Sequence, residues 1–403
     1  VADLTSAQRG AKASKGAADA EQSPHRRIVV KAGTSLLTGG TERLDTVAIA
    51  SLVEQISDLH RGGVELLLVT SGAVAAGREA LDRKGVGTGV APAGSAPWSW
   101  ELPYRQVLAA VGQSRLMYIY EQLFEQKDIP VAQALVTRRD IADRVGYLNI
   151  RNTLLALLAL GVVPILNEND VVEVEELEGE VIGDNDTLSA LVANIVDADL
   201  LVMLGDTAGL YTADPHVDPE ARLIPTVERI DEVIGQAGGS WSGMGRGGMV
   251  AKLAAARLAT TSGVATVIAD GREPNVLTRL AGGETLGTWF PPAATRLESR
   301  QRWMLSAVSQ SSAVVVDGGA VSALRSQKRS LLPAGVREVR GNFLRGDVVP
   351  ILGPQDERVA AGVANYGAED TRRIMGLRSD RIGGVLGYEY GAELVHRSNL
   401  VLL

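Results

Sequence analysis

Cysteine is absent from the 403 residues, which excludes disulfides, thiolate nucleophiles and cysteine-held zinc. Histidine is scarce: His25, His60, His216 and His396 are the four, and none lies in the polar clusters described below. No apolar run approaches the length needed to cross a bilayer, so no membrane partner is expected. Residues 1–25 carry no secretory apolar core, and their acidic residues argue against a mitochondrial targeting peptide. Their Ala/Ser/Gly/Lys-rich composition reads as a disordered tail. A reducing, cytoplasmic setting is the natural expectation. Familiar nucleotide signatures are missing too. There is no G-x-x-x-x-G-K-[ST] loop and no protein-kinase HRD or DFG motif.

What is present is an ordinary globular composition, 45% hydrophobic and 22% charged, long enough for two or three domains. The net charge of −8 argues against broad non-specific nucleic-acid binding. That charge is unevenly placed. From Arg296 onward there are 15 Lys/Arg against 11 Asp/Glu, about +4, so the remainder carries about −12. The Pro pair at 291 and 292 and the charged stretch behind it mark a linker, dividing residues 26–292 from residues 296–403.

In the first part, apolar strands such as RRIVV, VELLLVT, VVPILN, DLLVMLG and GVATVIAD alternate with helical patterns at 46–61, 148–161 and 249–262. The strands lack period-two alternation, which implies α/β architecture with an open, mainly parallel sheet sandwiched by helices. After residue 296, AVVVDGGAVSAL, SLLPAGVREVRGNFLRGDVVPIL and VAAGVANY read as short strands broken by Gly and Pro, a small β-rich domain. Residues 83–103 form a Gly/Pro/Ala-rich insert. Trp98 and Trp100 within it suit a partner contact or, more simply, packing on the domain surface.

Polar residues gather at the C-terminal ends of the predicted strands. Lys31-Gly33-Thr34, Thr70-Ser71-Gly72, Asn167-Glu168-Asn169-Asp170 and Gly205-Asp206 are four such clusters. Ligands of open α/β sheets bind along that edge, often at helix N-termini. Gly243, Gly245 and Gly248 make a G-x-G-x-x-G with Asp270 downstream, but a polar loop (QAGGSWS) precedes it instead of the strand a dinucleotide fingerprint requires. A Gly-rich loop leading into a helix that carries Lys252 is the better reading. Each lysine alone reads as a solvated surface residue. Lys31 and Lys252 on separate Gly-rich turns, however, suit the spread negative charge of a transferring phosphoryl group. Asp184, Asn185 and Asp186 in IGDNDTLSALVANI could simply cap the helix they precede.

IVVKAGTSLL, LLLVTSGAVAAGREAL, LAAVGQSRL, ILNENDVV, IGDNDTLSAL, GLYTADP and GGMVAK occur in order. Together they resemble the amino acid kinase family, and within it the glutamate 5-kinase (γ-glutamyl kinase) branch. SLLPAGVREVRGNF, RGDVV and LGYEYG resemble the PUA domain found on many bacterial members. The resemblance covers nearly everything from about residue 26 onward. It implies ATP-dependent phosphorylation of the γ-carboxylate of L-glutamate, the first step of proline synthesis, with Mg²⁺ bound chiefly through the ATP phosphates. A carboxylate is already ionised at neutral pH and needs no general base to attack phosphorus.

By the same resemblance Lys31, Lys252 and Asp186 are the catalytic group, with Asp186 holding the two lysines. Ser71, Asp170 and Asn185 fall on glutamate-binding positions with Asn167 beside them. Lys31, Gly33, Gly205, Asp206, Arg246, Gly247, Gly248, Met249 and Lys252 fall on nucleotide positions. Feedback inhibition by proline, a homo-oligomer and RNA contact through the PUA-like part are further implications. Two departures bear on nucleotide affinity: Arg246, Val250 and Ala251 stand where Thr and Ser/Thr are usual, and Gly205 where Thr or Ser is usual. Competing readings are another amino acid kinase, or a degenerate kinase serving as an RNA-binding or proline-sensing regulator.

Overall fold

RIVVKA, residues Arg27–Ala32, forms β1, and five of its six side chains are buried. Strand geometry sends successive side chains to opposite faces. Ile28, Val30 and Ala32 enter one hydrophobic cluster and Val29 the other. Lys31 therefore shares Val29's face. The same division runs through β2 (Glu65–Thr70), β4 (Val163–Glu168), β5 (Leu200–Gly205) and β6 (Ala265–Asp270). A sheet buried on both faces selects the unbroken apolar strands seen in the sequence.

The computed structural model describes residues 23–85, 102–172, 185–213, 215, 218–230, 246–295, 298, 304 and 311–403, with backbone alone at 102, 103, 246 and 247. The expected disordered tail up to residue 22, most of the 83–103 insert with both its Trp residues, and Asp184 lie outside the described residues.

The large sheet has the order β3-β4-β2-β1-β5-β6-β7, where β3 is Val131–Val136 and β7 is Thr288–Phe290. Its strands are parallel except β7, which runs antiparallel to β6. One face is covered by α2 (Thr46–Arg61), α4 (Leu102–Glu125) and α9 (Val276–Ala281). After the short α5 (Arg138–Ala142), the other face is covered by α6 (Arg144–Ala159), α7 (Asn185–Ile195) and α8 (Arg246–Thr261). After β1 the chain builds outward through β2 on one flank, then returns to place β5 on the other. Such a switch point opens a crevice at the strands' C-terminal ends.

Helix α3 (Ala73–Arg83) follows β2 and packs closely on α4. Two glycines allow the approach: a Cβ on Gly77 would fall 1.9 Å from Leu108 O, and one on Gly112 would fall 1.8 Å from Ala73 O. Helix α1 (Thr34–Thr38) is a single turn after β1, ended by Gly39 and Gly40 with φ of 59° and 75°.

A second sheet orders as β12-β11-β10-β8-β9, with β8 at Ala313–Val316, β9 at Val336–Arg340, β10 at Val348–Leu352, β11 at Arg358–Val363 and β12 at Leu400–Leu402. One expectation is corrected. AVVVDGGAVSAL, read among the short strands, is strand only at its start: after β8 the chain turns into α10, Gly318–Arg325. The Asp317 carboxylate accepts from Ala320 N at 2.8 Å, and such a cap offsets the weak helix propensity of two leading glycines.

The two sheets' units meet along α6. Arg151, 3% exposed, donates to Asn399 Oδ1 (2.5 Å), Ser398 O and Asp197 Oδ2 (both 2.7 Å), and also to Ile195 O. Leu148 joins Val348, Ala361, Val363 and Val401 in an apolar seam. Arg144 and Asp347 pair at 2.5 Å beside it.

Candidate active site

Alternation along β1 points Lys31 into the face covered by α7 and α8, and α7 begins with Asn185 and Asp186. The Lys31 ammonium sits 2.7 Å from Asp186 Oδ1, with side chains only 3% and 0% exposed. Lys252, on the second turn of α8, donates to the other oxygen, Asp186 Oδ2, at 3.2 Å. Three residues scattered over the sequence thus form one buried group carrying two ammoniums and one carboxylate. A carboxylate at a helix N-terminus is favoured by the free N–H groups there, so α7 itself stabilises Asp186. Its Ser189 donates to Asp186 O at 2.6 Å, tightening that first turn.

Glycines leave the space around this group open. A Cβ on Gly33 would lie 3.4 Å from Lys31 Nζ, and one on Gly205 would lie 3.6 Å from Lys252 Cε. Gly33 N donates to Leu204 O at 3.1 Å, tying the turn after β1 to the end of β5. Asp206 follows on the surface. Its carbonyl accepts from Arg272 (2.5 Å), which also holds Asp270 at 2.7 Å. Burial pushes the Asp270 carboxyl upward, but hydrogen bonds and charge from Arg272 outweigh it and hold the group below its usual range. Gly248 is exposed at the start of α8, and Met249 packs against the nearby core. Arg246 and Gly247 open the same helix, and the Arg246 side chain lies outside the described residues.

Beside the lysines lies a cavity of about 360 Å³ lined by Ser71, Asn167, Asp170 and Asn185. Four substrate residues expected from sequence therefore line one cavity. Asn185 Nδ2 donates to Ser71 Oγ at 3.1 Å. Asn167 Nδ2 donates to Gln113 Oε1 at 2.8 Å, while its own Oδ1 accepts from Glu168 N at 2.9 Å, which fixes the amide plane. Gly72 and the first turn of α3, Ala73 to Ala75, add to the lining. Gly72, with φ of 97°, makes the sharp entry into that helix.

A family model for the amino acid kinase family matches residues 26–270, and one for the PUA domain matches residues 312–386. The chain belongs to the amino acid kinase family. It is 51% identical over 378 residues to the glutamate 5-kinase of Herpetosiphon aurantiacus, covering 94% of this chain and 98% of that one. It is 49% identical over 380 residues to the glutamate 5-kinase of Dehalococcoides mccartyi, covering 94% and 99%. The glutamate 5-kinase of Deinococcus radiodurans is 47% identical over 378 residues, covering 94% and 100%. As an amino acid kinase, the chain uses ATP, and the mostly parallel sheet with its helices is the kinase domain's architecture.

Sequence reasoning missed several residues that line the cavity or brace it. Gln113 stands inside the motif LAAVGQSRL but carries no charge to draw notice, and its role depends on α4 coming within hydrogen-bond reach of Asn167 on β4. Thr41, Glu42, Arg78 and Arg105 also line the cavity. Arg78 lies within the motif LLLVTSGAVAAGREAL, and the five residues between it and Gly72 gave no sign that both face one space.

Proposed function

We propose that the chain phosphorylates the γ-carboxylate of L-glutamate with ATP, giving γ-glutamyl phosphate and ADP at the head of proline synthesis. The observation that carries this reading is the Lys31–Asp186–Lys252 group standing beside a cavity lined by Ser71, Asn167, Asp170 and Asn185. The γ-phosphoryl group would lie between the lysines, where positive charge meets the equatorial oxygens as the P–O bond to ADP loosens. The attacking carboxylate oxygen brings its own electron pair, and no proton has to move. Asp186 keeps both ammoniums aimed at the same point. Asp170 suits the substrate's α-ammonium, and Ser71, Asn167 and Asn185 suit its oxygens. Gly33, Gly205, Asp206 and the start of α8 from Arg246 to Met249 flank the nucleotide side.

Mg²⁺, implied by the family resemblance, would be carried chiefly on the ATP phosphates, neutralising charge there while the lysines orient the transferring group. The remaining parts of the proposal follow from the family resemblance: proline as feedback ligand, self-association, cytoplasmic location and RNA contact through the PUA domain.

The test is glutamate-dependent ADP release, with γ-glutamyl hydroxamate trapped by hydroxylamine, run with and without proline. Folded protein that releases no ADP with glutamate and Mg-ATP would overturn the reading. A panel of aspartate, acetylglutamate, carbamate and UMP separates it from other amino acid kinase activities. Light scattering reports self-association, and RNA gel shifts report the PUA contact.

A further inference from the structure

Arg78 lies on the second turn of α3 and lines the same cavity as Ser71 and Asn185. Its partner is Glu42, at 2.5 Å, with side chains 35% and 76% exposed. Glu42 stands on the turn between α1 and α2, just after Gly39 and Gly40. Thr41 and Glu42 from that turn also border the cavity.

The proposed substrate, on which this inference rests, brings two carboxylates and one ammonium at neutral pH. The γ-carboxylate must face the lysine group, and Asp170 suits the ammonium. The α-carboxylate still needs a cation, because a charge taken from water without a partner is strongly disfavoured. Arg78 and Arg105 are the cationic side chains in the described lining of the cavity. Arg78 shares its helix with Ala73, Val74 and Ala75, which line the same cavity from the helix's first turn, where free N–H groups favour an anion. Glutamate is also the side chain already seated on Arg78. With the Glu42 side chain largely exposed, that ion pair is weak and readily exchanged.

We infer that Arg78 is the specificity determinant for the substrate's α-carboxylate, and that Glu42 occupies it as an internal stand-in until glutamate displaces it. Discrimination against acceptors lacking the α-carboxylate then arises from Arg78. The 39–45 turn is freed whenever substrate binds.

The test measures dissociation constants by calorimetry for glutamate and for isoglutamine, its α-carboxamide, which keeps the ammonium and the γ-carboxylate. Wild-type protein is expected to prefer glutamate by about 10- to 100-fold, the usual effect of a charged hydrogen-bonded contact. Arg78→Gln is expected to bring the two ligands to within about threefold, whereas Arg105→Gln keeps the preference. Glu42→Ala is expected to tighten glutamate by about two- to fivefold and leave isoglutamine unchanged.

A preserved preference in Arg78→Gln, or its collapse in Arg105→Gln, overturns the inference. So does a Glu42→Ala protein that binds glutamate no better or worse than wild type; this arm decides the matter if Arg78→Gln does not fold. Wild-type protein that fails to phosphorylate glutamate at all would instead overturn the proposed function. Normal turnover with the wrong pattern among the variants overturns only the role of Arg78 and Glu42.

Discussion

Replacing Asp186 by Asn is the most direct probe of the buried charge group, because the change is nearly isosteric and removes one charge. The carboxylate faces Lys31 at 2.7 Å and Lys252 at 3.2 Å. At an effective dielectric of about 20, the gross attractions are about 6 and about 5 kcal/mol. Much of this offsets desolvation, so the net cost of leaving a buried partner unmatched is about 3–5 kcal/mol. Asn also turns an amide N–H toward one ammonium, which pushes that lysine away. A domain of this size tolerates the loss and stays folded, with a melting temperature lowered on the order of 10 °C. Turnover falls further, by about 10²–10³, the usual effect of losing one preorganised electrostatic element. Nucleotide phosphates resupply the missing negative charge, so ATP should raise the melting temperature of the variant more than that of wild type. Coupled kinase assays and thermal melts with and without ATP measure both effects. A folded Asp186→Asn protein with kcat within about threefold of wild type would refute the assigned role.

Gly112→Ala would place a Cβ 1.8 Å from Ala73 O and 2.3 Å from Gly77 N, backbone atoms that cannot turn aside. Pushing α3 from α4 should cost about 1–3 kcal/mol and raise KM for the acceptor, since α3 lines its cavity; denaturation curves and kinetics show it. Arg151→Met removes the hub of the joint between the two units and should cost about 3–5 kcal/mol, with faster proteolysis of the C-terminal unit. Unchanged stability there would contradict the reading of the joint. Burial holds His396 and His25 below their ordinary value of 6.5, so the folded state favours the neutral rings. The unfolded chain then takes up protons first. Stability is full above about pH 6.5 and declines as pH falls toward the depressed folded values. His396→Asn keeps an acceptor for Ser398 N and should soften that decline in melts between neutral pH and about pH 5.5.

Much of the kinase domain was legible without coordinates because its signals are local. A buried parallel strand must be apolar on both faces, so IVV, LLLV, PIL and LLVML announce themselves, and the helix expected at 46–61 is found at Thr46–Arg61. The C-terminal unit was harder to read. Gly318 and Gly319 argue against a helix in any local count, and α10 exists because the Asp317 cap and the burial of Leu324 outweigh them. Ser71, Asn167 and Asp170 belong to two of the strand-end clusters, which share an edge in such a sheet, whereas Asn185 opens α7 and the substrate role of all four was implied by the family resemblance.

What the sequence by itself determined is the order of strands and helices, the edge on which polar residues collect, and the chemical types available there. Distances between remote residues were beyond it. That Lys31 and Lys252 meet on one aspartate follows from strand alternation in β1, the placement of α7 and α8 over the same face, and the glycines that leave them room. The pairing of Arg78 with Glu42 depends on a turn doubling back beside α3, and the bracing of Asn167 by Gln113 on α4 lying close to β4 at that residue. Each is a contact between segments far apart in the chain, fixed by packing of whole elements rather than by any residue's own preference.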